Sequence, residues 1–160
     1  MRRISVIILC MLSTFMAMTQ EYDLRWISSP CVDSTSQIWF RNQYVHQKKI
    51  KKAYVCIATT GYADLYINRR NASHNYLAPY RQPYSNYPVS TTYDITRFSR
   101  PDTTTIAVWY SPSYPHINTH QLSLIYYGTY EDGSSFSFVS DESWLCRLSC
   151  SQFNSKGSET

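Results

Sequence analysis

Residues 121–139 read QLSLIYYGTYEDGSSFSFV, two runs of strand length on either side of Glu131, Asp132 and Gly133. Asp-Gly supplies the positive backbone angles of a tight hairpin turn. The flanking runs, Gln121 to Tyr130 and Ser134 to Val139, carry the aromatic and branched side chains that suit a pleated, half-buried surface, so the stretch predicts an antiparallel hairpin. Immediately upstream, Thr104 to Tyr110 places Ile106, Val108 and Tyr110 on one face and Ala107 and Trp109 on the other. Apolar residues on both faces predict a central strand covered on each side. Further strand-like runs are Ile38 to Val45, Ala53 to Ala58, Ala63 to Ile67 after a break at Gly61, and Ser90 to Ile95. No segment of ten or more residues keeps a helical period. Without helices to cover it, a sheet must bury its apolar face against a second sheet, which gives an all-β sandwich of about eight strands. The long connections favour a jelly roll over an immunoglobulin-like sandwich. The segment from Asn68 to Pro88, rich in Asn, Tyr and Pro, reads as a long ordered loop.

The chain has 160 residues, a length that predicts one domain. Hydrophobic residues make up 43% and charged residues 16%, a globular composition. At the N-terminus, Arg2 and Arg3 precede an almost unbroken apolar stretch from Ile4 to Ala17, followed by small or polar residues. Residues 1–19 therefore read as a secretory signal peptide, with the mature domain spanning 20–160 and an exported, periplasmic or extracellular location. The apolar run is shorter than the roughly 18 residues a spanning helix needs, so no membrane span is expected after cleavage. Removing Arg2 and Arg3 leaves 13 basic against 11 acidic residues, and the net charge of +4 becomes +2. Nucleic-acid binding needs many cations on one face, and the only cluster in sequence is Lys48, Lys49, Lys51 and Lys52. That cluster reads as a solvated turn leading into a strand whose lysines discourage edge pairing, so no nucleic-acid partner is expected.

Export makes Cys31, Cys56, Cys146 and Cys150 candidates for one or two disulfides, with the pairing left open. No metal site and no cofactor are expected, because Cys146 and Cys150 have no matching ligand pair nearby. His46, His74, His116 and His120 are scattered and read as solvated loop histidines. Asp94, Glu131, Asp132 and Asp141 sit at strand ends or in turns, where turn formation accounts for them.

An ordered series of short motifs resembles the accessory N-terminal domain of bacterial alpha-L-rhamnosidases. The series runs through Phe40-Arg41-Asn42-Gln43-Tyr44, Lys51-Lys52-Ala53-Tyr54-Val55, Thr60-Gly61-Tyr62 and Leu65-Tyr66-Ile67-Asn68. It continues with Leu77-Ala78-Pro79, Thr92-Tyr93-Asp94-Ile95-Thr96, Thr105-Ile106-Ala107-Val108, Tyr130-Glu131-Asp132-Gly133 and Ser140-Asp141-Glu142-Ser143-Trp144. The resemblance implies a galactose-binding-domain-like jelly roll and a role in supporting or targeting the degradation of rhamnose-containing glycans. Two departures stand out. The family usually has Gly after the Asn of its Tyr-Ile-Asn turn, where this chain has Arg69, so the turn is expected to be rebuilt. Its Gly-rich loop after the Ala-Val strand is replaced by Ser111-Pro112-Ser113-Tyr114-Pro115-His116. The sequence stops at Gly157 to Thr160, resembling the point where family members run on toward a helical-barrel catalytic domain, so that domain is expected to be missing. Glycoside hydrolysis needs a carboxylate pair held across the sugar. The resemblance puts that pair in the barrel, and no catalytic residue is assigned here.

Binding remains, and sugar binding has a physical rationale. Aromatic rings offer flat apolar faces to the C–H faces of pyranose rings, while Asn, Arg and His exchange hydrogen bonds with hydroxyls. One candidate surface comprises Tyr76, Tyr80, Arg81, Tyr84 and Tyr87, with Asn75 and Asn86. A second comprises Trp109, Tyr110, Tyr114 and His116. The competing reading is that these rings pack the loop onto the sandwich or face a neighbouring domain. Three roles follow: a non-catalytic accessory domain acting with a catalytic-domain partner, an independent lectin-like carbohydrate-binding module, or an inactive fragment of a split rhamnosidase.

Overall fold

A computed structural model describes residues 25–30, 36–73, 78–79, 88–112 and 120–149. Among the described residues ten strands run in chain order: β1 (Ile27–Ser28), β2 (Ile38–Val45), β3 (Ile50–Thr59), β4 (Tyr62–Ile67), β5 (Arg70–Asn71), β6 (Val89–Asp94), β7 (Thr103–Ser111), β8 (Gln121–Tyr130), β9 (Ser135–Val139) and β10 (Leu145–Leu148). The one helical element among the described residues is a 3-10 turn at Thr96–Phe98. No helix among them is long and apolar enough to cross a membrane. The proposed signal peptide lies outside the described residues.

Sheet A has the order β1-β8-β3-β6, with β9 also paired to β8; sheet B has the order β10-β2-β7-β4-β5. Every pairing is antiparallel. Strands one to eight thus alternate between the sheets as 1-8-3-6 and 2-7-4-5, the winding of a jelly roll, with β9 and β10 as additions.

Period-two alternation makes the core. From sheet B, Ile38, Phe40 and Tyr44 of β2, Ala63, Leu65 and Ile67 of β4, and Ile106, Val108 and Tyr110 of β7 point inward. They meet Ala53, Val55 and Ile57 of β3 and Leu122, Leu124 and Tyr126 of β8. Each fully buried aliphatic or aromatic side chain contributes about 1.5–3 kcal/mol relative to exposure. At one end Tyr44, Tyr126, Phe136 and Phe138 close the core, with ring centroids 4.8 Å apart for Tyr44–Phe138 and 5.0 Å for Tyr126–Phe136. At the other end, Thr60 Oγ1 lies 3.1 Å from the Tyr110 hydroxyl and accepts from Gln121 N–H at 3.0 Å.

Several expectations need correction. Strand β7 is central, between β2 and β4, but Ala107 and Trp109 on its outer face are only half-buried. The strand buried on both faces is β8, where Leu122 to Tyr126 are all buried. The hairpin turn uses one positive φ, at Gly133 (86°), not two. Tyr130 N–H donates to Ser134 O and Gly133 N–H donates to Tyr130 O, so the loop is the three-residue kind closed by a glycine bulge.

Of the lysine cluster, Lys51 and Lys52 lie on β3 ahead of its pairing with β6, which starts at Tyr54, but Lys48 and Lys49 are not simply solvated. Instead Lys48 pairs with Asp132 and Lys49 with Glu131, both at 2.7 Å, tying the β2–β3 turn to the hairpin tip. His46 and His120 are buried rather than solvated. The loop from Asn68 contains a short strand, β5, paired back on β4. Cys56 and Cys146 carry free thiols, while Cys31 and Cys150 lie outside the described residues.

At the Asn68-Arg69 turn the low-strain glycine is lost but a left-handed conformation is not. Both residues take positive φ, 51° and 70°, so Arg69 adopts the left-handed conformation a glycine would take without strain. Asn68 clamps the turn: its side-chain amide donates to Phe98 O (2.8 Å), and its Oδ1 accepts from Thr105 N–H (3.0 Å).

Candidate functional site

The inward alternation that fills the core sends every second residue of sheet B outward. On β2 these are Trp39, Arg41 and Gln43; on β4, Asp64 and Tyr66; on β7, Thr105, Ala107 and Trp109. Register then decides which of them meet. Ala107 lies opposite Arg41 on one side and Tyr66 on the other, while Trp109 lies between Trp39 and Asp64. Because Ala107 is small, the rings on either side of it close over the strand, and the Trp39 and Tyr66 centroids come within 5.3 Å at an interplanar angle of 59°.

These residues line a concavity of about 960 Å³ open to solvent. Ala107 and Thr105 form the floor, and Trp39 and Tyr66 supply the aromatic wall. Arg41 from β2, Arg147 from β10, Arg69 from the β4–β5 turn and Arg100 from the segment before β7 complete the rim. The volume is at the upper end of the roughly 300–1,000 Å³ usual for small-ligand sites. Aromatic faces beside a fork of N–H donors can stack on a sugar ring and bond its hydroxyls. Asp64 stands on the same face outside the concavity. Partial burial pushes its carboxyl above the usual range, opposed by a hydrogen bond from Ser73.

Of the residues singled out from sequence, Tyr76, Tyr80, Arg81, Tyr84, Tyr87, Tyr114 and His116 lie outside the described residues. Trp109 is on the outer face of sheet B but does not line the concavity. Tyr110 cannot share a surface with it: the ring points the opposite way, into the core, with no solvent exposure. Sequence reasoning missed Trp39, Tyr66 and the four arginines. The signal was present in the alternation of β2 and β4, whose outward residues are as telling as the inward ones. Their convergence was hidden, because the arginines come from four separate places in the chain. The lysine run was therefore not the only grouping of cations.

Chemistry other than binding finds few groups here. Among the described residues no cluster of His, Cys, Asp and Glu has metal-site geometry. Asp94, Asp132 and Asp141 are each engaged in a local turn, accepting from the backbone N–H two residues on, at 2.9 Å in every case. The Thr96 hydroxyl holds the Asp94 carboxyl below the usual range and the Ser143 hydroxyl that of Asp141, each helped by the backbone N–H, while Lys48 and then Ser134 lower Asp132.

The alpha-L-rhamnosidase of Dictyoglumus thermophilum shares the fold, with a TM-score of 0.64 and 27% identity over 81% of this chain and 16% of that one. The alpha-L-rhamnosidase of Aspergillus terreus superposes with a TM-score of 0.69 at 24% identity, over 80% of this chain and 17% of that one. The Pleurotus ostreatus lectin gives a TM-score of 0.57 at 24% identity, over 79% of this chain and 35% of that one. At such identities the last two show likeness of fold alone. This chain spans less than a fifth of either rhamnosidase. No curated protein matches it. A family model described as the alpha-L-rhamnosidase N-terminal domain matches residues 48–156, more than half of the sequence. The chain belongs to the alpha-L-rhamnosidase N-terminal domain family.

Proposed function

We propose that this protein is an exported, non-catalytic accessory domain of an alpha-L-rhamnosidase-type system, binding a saccharide on the outer face of sheet B. The observation that carries the reading is the pair of rings, Trp39 and Tyr66, held 5.3 Å apart over Ala107 beside a rim of guanidinium donors. Such a wall matches the apolar face of a pyranose, and the donors match its hydroxyls. Family membership supports a role beside a rhamnosidase, and the shared fold with a lectin supports binding as that role. Asp94, Asp132 and Asp141 are engaged in turns, which fits an accessory part rather than a hydrolytic one.

Titration calorimetry of the purified chain with L-rhamnose and a rhamnose-containing oligosaccharide tests this. Saturable heat is expected, weakened at least tenfold by Trp39→Ala or Tyr66→Ala. It should be unchanged by Tyr54→Ala, which disrupts the stacked Tyr54–Tyr127 pair in sheet A. Binding lost in the Tyr54 variant but kept in the Trp39 variant would put the site on the wrong sheet. Absence of binding to any glycan would remove the reading, and turnover of an aryl rhamnoside by the chain alone would contradict its non-catalytic part.

A further inference from the structure

Four of the residues around the concavity are arginines, Arg41, Arg69, Arg100 and Arg147, and among the described residues no carboxylate lines it. None of the four is ion-paired with a described carboxylate; the ion pairs at 2.7 Å elsewhere use Lys48 and Lys49. Four like charges converging on one basin repel one another, a cost that a bound anion would reverse. A neutral sugar needs no such grouping, since amides and hydroxyls suffice for its hydroxyl groups. Arginine differs from those groups in presenting a planar fork that binds a carboxylate through two parallel N–H···O bonds.

Arg69 sharpens the case. Its φ of 70° is a conformation in which glycine is unstrained and a residue with a Cβ is not. The strained position is occupied by a cation that reaches the basin.

We propose that the saccharide held on this face is acidic, its carboxylates received by the arginine rim while Trp39 and Tyr66 stack against its rings. The inference rests on the carbohydrate reading above and narrows it to a uronate-containing chain. A neutral oligosaccharide would fill the same wall but leave the guanidinium groups unneutralised.

The probes are tri-galacturonate, a neutral trisaccharide of galactose, and a short single-stranded oligonucleotide of matched charge, each titrated into the purified chain at 20 mM and 200 mM salt. Tri-galacturonate is expected to bind at least tenfold more tightly than the neutral trisaccharide at low salt. That advantage should shrink at high salt, because exposed charges are screened. The double variant Arg41→Gln/Arg147→Gln should lose the advantage, tri-galacturonate falling to within about twofold of the neutral trisaccharide measured in the same variant. Lys51→Gln, on the opposite sheet, should change neither. Tri-galacturonate should also raise the thermal midpoint of the parent chain, and that of the double variant much less, a readout that also shows the variant to be folded.

Equal affinity for the acidic and neutral trisaccharides would overturn the inference and leave the carbohydrate reading standing. Binding of neither would overturn the inference, and would overturn the carbohydrate reading with it when L-rhamnose and the rhamnose-containing oligosaccharide also give no heat. An oligonucleotide that binds as tightly as tri-galacturonate would mark the basin as a general polyanion surface and contradict the inference.

Discussion

His46 is the residue with the most constrained chemistry. Its imidazole is 5% exposed, and its two ring nitrogens reach two tyrosines. The Tyr126 hydroxyl donates to Thr104 Oγ1 (3.3 Å), leaving its oxygen to accept from His46 Nε2–H (3.0 Å). His46 Nδ1 in turn accepts from the Tyr130 hydroxyl (3.1 Å). The neutral ring is thus satisfied on both sides, and burial pushes its pKa down. A histidine that resists protonation in the fold but not in the unfolded chain stabilises the fold fully above the unfolded pKa, about 6.5. The contribution is lost as pH falls below that value. Urea midpoints should therefore be lower at pH 5 than at pH 8, and His46→Gln should flatten that slope. A slope unchanged in the variant would assign the effect elsewhere. At alkaline pH the same logic applies in reverse to Tyr44 and Tyr126, whose hydroxyls burial pushes up to about 12. Arg69 makes the opposite trade to His46. Replacing it by glycine should stabilise the fold by about 1 kcal/mol in chemical denaturation, because the left-handed turn then costs nothing, while anionic ligands bind more weakly. A destabilised Arg69→Gly protein would mean that the side chain supports the turn.

At the level of elements, the strands legible in the sequence are those with runs of five or more strand-forming residues: β2, β3, β4, β6, β7 and the β8–β9 hairpin. Strands β1 and β5, two residues each, have no pattern of their own and exist through pairing with β8 and β4. β10 was hidden for another reason. All four of its residues are exposed, so it shows no apolar period, and only its register with Ile38 to Arg41 defines it. The cover expected over β7 failed because a mixed Ala107-Trp109 face was read as core, whereas the burial on both faces belongs to β8. Within β8, Gly128 lies tight against β3. A Cβ there would run into Lys52 O and come within 2.8 Å of the Phe136 ring and 3.0 Å of Ala53 Cα. Backbone cannot yield as a flexible side chain can, so Gly128→Ala should destabilise by about 1–3 kcal/mol, read as a lower denaturant midpoint. A neutral substitution would imply that β3 and β8 separate more easily than their register suggests.

For the molecule as a whole, the sequence pointed to a sandwich because strands at this density leave no other way to bury both faces. Jelly-roll winding then brings together residues that lie far apart along the chain. Trp39, Tyr66, Ala107 and Arg147 come from β2, β4, β7 and β10, yet share one side of sheet B. A reading that looks for aromatic-rich segments finds loops, and it pointed to the Tyr-rich stretch from Asn68 to Pro88. A site assembled from single outward residues on four strands leaves no dense segment to notice. The central claim is therefore about place: saccharide binds on the outer face of sheet B. The most direct measurement is residue-by-residue mapping of amide and indole NMR shifts during titration with an acidic oligosaccharide. Saturable shifts should concentrate at the Trp39 indole N–H and at the amides of Arg41, Tyr66, Ala107 and Arg147. Shifts confined to sheet A or to residues 74–87, with the Trp39 indole unmoved, would contradict the account.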